Sequence, residues 1–181
     1  KEKFPGQGLV NRTFGIQGVG KVGAELIKLL DPRCKSITIS DMDQKKLRQI
    51  QKQFPKISVV KPPEIYRQRV DVFLPCALNG VLNETTIPAL GCQIVAGGAN
   101  NQLTNRAAGK MLYDRNILYA PDYVINAGGL VSVADEYEHR DSNELRVSKR
   151  IRRIPRILAK ILAESKKRSK PTNEVADEIA E

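Results

Sequence analysis

Thr13-Phe14-Gly15-Ile16-Gln17-Gly18-Val19-Gly20-Lys21-Val22-Gly23 is the stretch whose reading decides the fold of this 181-residue chain. Its first five residues form a short apolar, β-favouring run, and the set Gly18-x-Gly20-x-x-Gly23 follows without a gap. After it, Val22, Leu26, Ile27, Leu29 and Leu30 recur at helical spacing. Strand, glycine turn and helix in that order are the context in which G-x-G-x-x-G acts as a dinucleotide-binding fingerprint. Gly18 is expected to allow the tight turn, Gly20 to admit a pyrophosphate to the backbone, and Gly23 to bring helix and strand close together. The helix N-terminus then offers free N–H groups and a positive dipole end to phosphate.

Downstream, Ser36-Ile37-Thr38-Ile39-Ser40 reads as a second strand closed by Asp41, 21 residues past Gly20. A carboxylate about 20 residues on is the expected partner of the ribose hydroxyls. It also repels a 2′-phosphate, which favours NAD over NADP as the cofactor. A glycine turn followed by a helix-capping aspartate is the competing, purely structural reading.

Composition bounds the remaining possibilities. The length allows one domain with a proper core, with or without an appendage. No apolar run approaches the ~18 residues of a membrane span, and the N-terminal KEKFPGQG lacks an apolar signal core. Cys34, Cys76 and Cys92 form no C-x-x-C pair, so neither a zinc site nor a disulfide framework is expected, and a reducing, cytoplasmic location is. The single histidine, His139, sits in the charged run EYEHRD and reads as a solvated side chain rather than a catalyst. Net charge is +10, and the segment from Arg140 to Lys170 alone carries +9, with twelve Lys and Arg against three acids. Those charges interleave with Ile151, Ile154, Ile157, Leu158, Ile161 and Leu162. An amphipathic helix with a basic outer face is expected there in preference to a nucleic-acid site.

Read in order, the chain alternates strand and helix. A helix is expected over Asp43 to Phe54, strands over Ile57 to Val60 and Val70 to Leu74, and a short helix over Thr85 to Leu90. Gln93 to Ala96 and Ile117 to Tyr119 read as the last two strands, separated by a helix that Thr104 caps and that runs to Tyr113. From Gly129 onward the pattern is helical, with Pro155 as a kink or restart and Lys170-Pro171 as the final break. Six strands with helical crossovers imply an α/β fold, a doubly wound, mostly parallel sheet with a C-terminal helical extension. Ligands of such sheets bind beyond the carboxyl ends of the strands. The loops to read for chemistry are therefore Gly18–Gly23, Asp41, Pro75–Gly80, Gly97–Asn101 and Pro121–Gly129.

QGVGKVG, PCALNG (Pro75–Gly80), AGGANNQL (Ala96–Leu103) and APDYVINAGG (Ala120–Gly129) with its VADE tail (Val133–Glu136) occur in this order. Jointly they resemble the NAD-binding half of the leucine/phenylalanine/valine dehydrogenases, and within that family the leucine dehydrogenases most of all. The resemblance runs over nearly the whole chain and implies oxidative deamination of a branched-chain L-amino acid, with hydride passing to NAD. It implies cofactor contacts from Gly18, Val19, Gly20, Lys21, Val22, Gly23 and Asp41, from Cys76, Ala77 and Leu78, and from Gly98, Ala99, Asn100 and Asn126. Asn126 would also face the substrate, and Leu130 and Val133 would line its side-chain pocket.

No catalytic residue is expected within this chain. In the family the lysine and its partner aspartate belong to motifs of a preceding domain, and no such motif occurs here. Both chain ends accordingly read as cut. The expected division is a dinucleotide-binding domain over 1–140 and a helical extension over 141–181. The resemblance further implies a homo-oligomer at full length, a small-molecule amino-acid substrate, and no metal, nucleic-acid or membrane partner. Two alternatives from other classes stay open at this point: a non-catalytic NAD-sensing module, and a nucleic-acid-binding protein using the basic segment.

Overall fold

Strand-forming residues in alternation set the frame. Our computed structural model describes residues 3–4, 8–141 and 143–180. The strands β1 (Thr13–Gln17), β2 (Ser36–Ser40), β3 (Ser58–Val59), β4 (Val72–Pro75), β5 (Ile94–Val95) and β6 (Leu118–Tyr119) form a single sheet. Its order is β3-β2-β1-β4-β5-β6, and every pairing is parallel. The order reverses beside β1, between β1 and β4, which puts the switch point of a doubly wound sheet at the glycine turn.

Residues two apart on a strand share a face, and the two faces bury different sets. Phe14, Ile16, Ile37, Ile39, Val72 and Leu74 pack on one side. They meet Ile27 and Leu30 of α1 (Lys21–Leu30) and Leu47 and Ile50 of α2 (Gln44–Gln53). The other side buries Val70, Phe73 and Val95 with Ile65, Leu82, Ile87 and Leu112. Leu112 belongs to α3 (Arg106–Asp114). On β1 the position facing this second layer is Gly15, where an added Cβ would lie 3.3 Å from Val70 Cγ2 and 3.6 Å from Phe73.

Local chemistry explains where the elements end. Asp43 caps α2 by accepting from the Lys45 and Lys46 N–H groups. The cap of α3 is Asn105, whose side chain accepts from Ala108 N, and not the expected Thr104, whose hydroxyl donates to Leu82 O. The helix anticipated over Thr85 to Leu90 contracts to a 3-10 turn, Ile87–Ala89, with Pro88 in its first turn. A further 3-10 helix at Pro62–Arg67 occupies the Lys-Pro-Pro stretch, because proline fixes φ at helical values while removing a donor. A short helix α4 (Asp122–Ile125) follows β6 and has no apolar periodicity to announce it.

The C-terminal stretch is helical, as α5 (Gly128–His139), α6 (Glu144–Ile151), α7 (Ile154–Arg168) and α8 (Thr172–Ala180). The basic segment is thus two helices rather than one. Pro155 sits in the first turn of α7 and restarts it. Ile161 of α7 and Val175 and Ala176 of α8 make a small third core with Val124 and Ile179. α8 also packs on α3 closely enough that a Cβ on Gly109 would lie 2.2 Å from Asn173 Oδ1. Part of the basic charge is paired: Arg146 and Arg150 bridge Asp135, Asp141 and Glu138, while Arg168 and Lys170 bridge Glu178. That pairing weakens a polyanion-binding reading. His139, at the C-terminal end of α5, is exposed as expected, with Nδ1 3.0 Å from Asp135 O.

Candidate nucleotide-binding site

Three glycine-bearing loops meet where β1, β4 and β5 end. Gly18 has φ +94, and a Cβ there would lie 2.7 Å from Ala77 Cβ. A Cβ on Gly23 would fall 2.1 Å from Gly18 O and 3.6 Å from Cys76 Cβ. On Gly98 it would meet Val22 Cγ1 at 2.4 Å, and on Gly97 it would meet Pro75 O at 2.1 Å. No alanine fits at any of the four without displacing its neighbour, so the loops close on one another with no room for a side chain at these positions. Ala99 N donates to Pro75 O at 2.9 Å and completes the joint.

Gly20 differs from all of these. Nothing lies within 4 Å of where its Cβ would be, although its φ of −67 is one that any residue adopts. It is the N-cap of α1, with no side-chain cap and no acid in the first turn. The first N–H groups of the helix and its positive dipole end are thus met by no side-chain cap and no acid of their own turn. That is the chemistry of a phosphate cradle, and a dinucleotide fits the residues present. Lys21 and Val22 are exposed on the first turn, whereas Val19 is buried.

Asp41 stands at the end of β2 and is tied to the glycine turn. One carboxylate oxygen accepts from Val19 N at 2.7 Å and the other from Asp43 N at 2.8 Å. A carboxylate has about four acceptor positions, so two remain for ribose hydroxyls. The tie also fixes the distance between the acid and the cradle, a role that spacing alone could not reveal.

Asn126 is half-buried at the C-cap of α4. Its Nδ2 donates to Gly97 O at 3.2 Å and to Ala99 O at 3.0 Å. Both partners are carbonyls, which fixes the amide's orientation. The sequence alone left this amide able to donate and accept. In the structure its donors are committed, and Oδ1 is left as an acceptor without a protein donor among the described residues. Asn100 is exposed at the tip of the same loop, and Leu78 is 70% exposed at the rim. Cys76 is packed between Gly23 and Gly98, and burial pushes its thiol pKa up. Leu130 and Val133 are not enclosed by anything: they lie 72% and 65% exposed on α5.

Three residues that sequence reasoning passed over hold this site together. Gln102 is fully buried, and its Nε2 donates at 2.8 Å to Gly97 O and to Ala99 O, the same carbonyls that Asn126 uses. Asp122, 6% exposed, accepts from Asn101 N at 2.7 Å and from the Tyr119 hydroxyl. Burial first, and then Asp122 beside it, drive the Tyr119 pKa far up, so that hydroxyl stays a donor. The available signal was a glutamine directly after a Gly/Asn loop and an aspartate directly after a proline, but neither has a periodicity to mark it. No helix among the described residues is long and apolar enough to cross a membrane. Among the same residues no group of three or more His, Cys, Asp or Glu is placed to hold a metal ion.

Comparison with known proteins covers the whole of this arrangement. The model of the Glutamate/Leucine/Phenylalanine/Valine dehydrogenase family matches residues 2–180. A leucine dehydrogenase of Bacillus cereus is 38% identical across 100% of this chain and 49% of its own length. The L-tryptophan dehydrogenase of Nostoc punctiforme is 42% identical across 100% of this chain and 51% of its own. The crystal structure of that L-tryptophan dehydrogenase matches with a TM-score of 0.90 at 40% identity, covering 95% of this chain and 52% of the other. The present chain thus spans about half the length of these relatives.

Proposed function

We propose that this chain, which belongs to the glutamate/leucine/phenylalanine/valine dehydrogenase family, is the nucleotide-binding half of an NAD-dependent L-amino-acid dehydrogenase. The reaction would be oxidative deamination of an L-amino acid to its 2-oxo acid and ammonia. A branched-chain side chain is the substrate we favour, from the four motifs and from the apolar pair Leu130 and Val133. The observation that carries the reading is the open cradle over Gly20, uncapped and ringed by loops too tightly packed to admit any other side chain.

NAD, when bound, supplies the acceptor for the substrate's Cα hydride. The rest is work for the chain's own residues. The amides that begin α1 bind the pyrophosphate, with Gly18 and Gly23 holding the turn in shape and Lys21 and Val22 at its mouth. Asp41 accepts from the adenosine ribose and excludes a 2′-phosphate. Cys76, Ala77 and Leu78 on one side, and Gly98, Ala99 and Asn100 on the other, flank the dinucleotide between its two riboses. Asn126 presents Oδ1, so the group set against it must be a hydrogen-bond donor. The proton-accepting lysine and its aspartate would come from a preceding domain, closing over Leu130 and Val133 to exclude water. We assign 1–140 to the nucleotide domain and 141–181 to a helical extension, and expect a cytoplasmic homo-oligomer at full length.

Calorimetric titration with NADH, followed by an assay with leucine and NAD, tests this directly. We expect binding without turnover by the chain alone, and turnover once the substrate half is supplied in cis or as a folded fragment. A chain that does not bind NADH would overturn the proposal.

A further inference from the structure

Gly97 O and Ala99 O are each claimed twice, once by a buried side chain and once by a side chain at the site. From below, Gln102 Nε2 reaches both at 2.8 Å, and from the site side Asn126 Nδ2 reaches them at 3.2 Å and 3.0 Å. A carbonyl oxygen has two lone pairs, so both oxygens are saturated and neither can accept from a ligand. Gln102 is 0% exposed, and its own Oε1 has no protein donor among the described residues. Leaving a buried acceptor unpaired carries a cost, and a glutamine kept at that cost is there for what its Nε2 does.

We propose that Gln102 is a positioning residue for the nicotinamide end of the dinucleotide site. It does not touch ligand. It acts through the two carbonyls, holding them at the spacing at which the Asn126 amide spans both and turns Oδ1 outward. The loop has a second anchor, since Asn101 N donates to the buried Asp122 carboxylate at 2.7 Å, so the segment from Gly97 to Asn101 is pinned at both ends. At the second pin Asn101 adopts φ +50, in the left-handed region that asparagine tolerates better than most side chains. Without Gln102 the loop keeps its Asp122 anchor and the joint to Pro75 O, so it remains folded but no longer sets the Asn126 amide.

This proposal rests on the nucleotide reading above, and its consequence is a split between the two halves of the dinucleotide. The pyrophosphate cradle belongs to the first glycine turn and the adenosine side to Asp41, and neither touches Gln102. Gln102→Met, similar in volume but lacking the donor, should therefore weaken NADH binding about tenfold while ADP-ribose binding stays within about twofold. The fluorescence enhancement of bound NADH should fall in parallel. Gln102→Glu provides a second handle. As a carboxylate it sets an oxygen against two carbonyls, and as a carboxylic acid it can donate to one of them. Its NADH affinity should climb as pH falls from about 8 to about 5, while that of the parent chain changes little.

A parent chain that binds neither NADH nor ADP-ribose would fail the nucleotide reading, and this proposal with it. A parent chain that binds both, with Gln102→Met losing both equally, would leave the nucleotide reading standing and make Gln102 a plain core residue. So would a Gln102→Glu chain with a pH profile as flat as the parent's.

Discussion

The loop edge of the sheet and the outer face of α5 are the two regions through which this chain would meet its ligands, and they are built in opposite ways. At the loop edge the key groups already have partners inside the chain. Asp41 holds Val19 N, Asp122 holds Asn101 N, and Gln102 and Asn126 share two carbonyls, while four glycines leave no room for a methyl group. On α5 and the neighbouring α6, Leu130, Val133, Tyr137 and Leu145 stand 65% to 87% exposed. Clustered apolar exposure of this kind marks a surface that something else covers. The contrast separates two tasks. On the proposed function, recognition of the dinucleotide would rest on backbone that is already packed in this half, whereas the substrate side would offer a wall without an enclosure.

The strongest way to break that contrast is to look for chemistry where only recognition should exist. We expect no measurable turnover of leucine, valine or phenylalanine with NAD by this chain alone, because an open face cannot stabilise the developing charge. Sustained turnover in a coupled absorbance assay would place the catalytic groups within these residues and erase the distinction. Next in size is a pair of glycine substitutions. Gly20→Ala meets no protein atom, so it should change unfolding free energy by less than about 1 kcal/mol. The methyl would nevertheless project into the cradle and weaken NADH binding by about 100-fold. Gly23→Ala should do its damage in the fold, costing about 1–3 kcal/mol in urea denaturation, since its Cβ falls 2.1 Å from Gly18 O. Equal stability losses for the two would show that Gly20 is merely another packing glycine.

Asp41 sharpens the comparison from the ligand side. NADH should bind at least about tenfold more tightly than NADPH, and Asp41→Ser should narrow the gap by a comparable factor. Because Asp41 also accepts from Val19 N and Asp43 N, the same variant should lose about 0.5–2 kcal/mol of stability, readable by thermal unfolding. Unchanged selectivity alongside that loss would reduce Asp41 to a capping residue.

Much of the loop edge was legible in the sequence, and the reason is geometric. A G-x-G-x-x-G turn between a strand and a helix has few steric solutions, so Gly18, Gly23 and the position of Asp41 followed from spacing. β1 and β2 occupy the expected residues because each is a five-residue alternating run that no proline interrupts. β3, β5 and β6 shrink to two paired residues each, since toward the sheet edges pairing partners and not propensity decide strand length. Gln102, Asp122 and Tyr119 were not legible. Their roles depend on carbonyls and amides brought together by the fold, and no pattern along the chain encodes that. The two-helix course of the basic segment was half legible. Pro155 announced a restart, but the pairing of Arg146 and Arg150 with a buried Asp135 needed the α5–α6 contact.

That buried carboxylate gives a pH test of the helical side. Hydrogen bonds from Arg146, and the charges of Arg146, His139 and Arg150, hold the Asp135 pKa below its ordinary value. A depressed folded-state pKa means the stabilisation is fully present above the unfolded value, about 4, and is lost as pH falls through the folded one. Acid titration followed by circular dichroism should show helical signal lost at low pH, and Asp135→Asn should flatten that loss while lowering stability at neutral pH. Among the described residues the loop edge holds no such arginine–carboxylate pair, so NADH binding by Asp135→Asn at neutral pH should match the parent even as the helical side loses stability. Loss of both in that variant would mean that the two regions unfold as one unit.

The smallest expected effect is the most telling about the outer face of α5. Leu130 and Val133 are large apolar side chains that contribute almost nothing to this chain's core, because they remain mostly in water. Leu130→Ala and Val133→Ala should therefore leave the unfolding free energy within about 0.5 kcal/mol of the parent and NADH affinity unchanged. A buried leucine truncated in the same way would cost about 2–5 kcal/mol. With the substrate half present, the same two substitutions should become visible, raising KM for leucine and shifting preference toward bulkier amino acids, by about 10-fold for each lost contact. Stability losses comparable to core truncation in the chain alone would show that α5 packs there on something within this half. The open face would then be a closed one, and the division between recognition and chemistry would have to be drawn elsewhere.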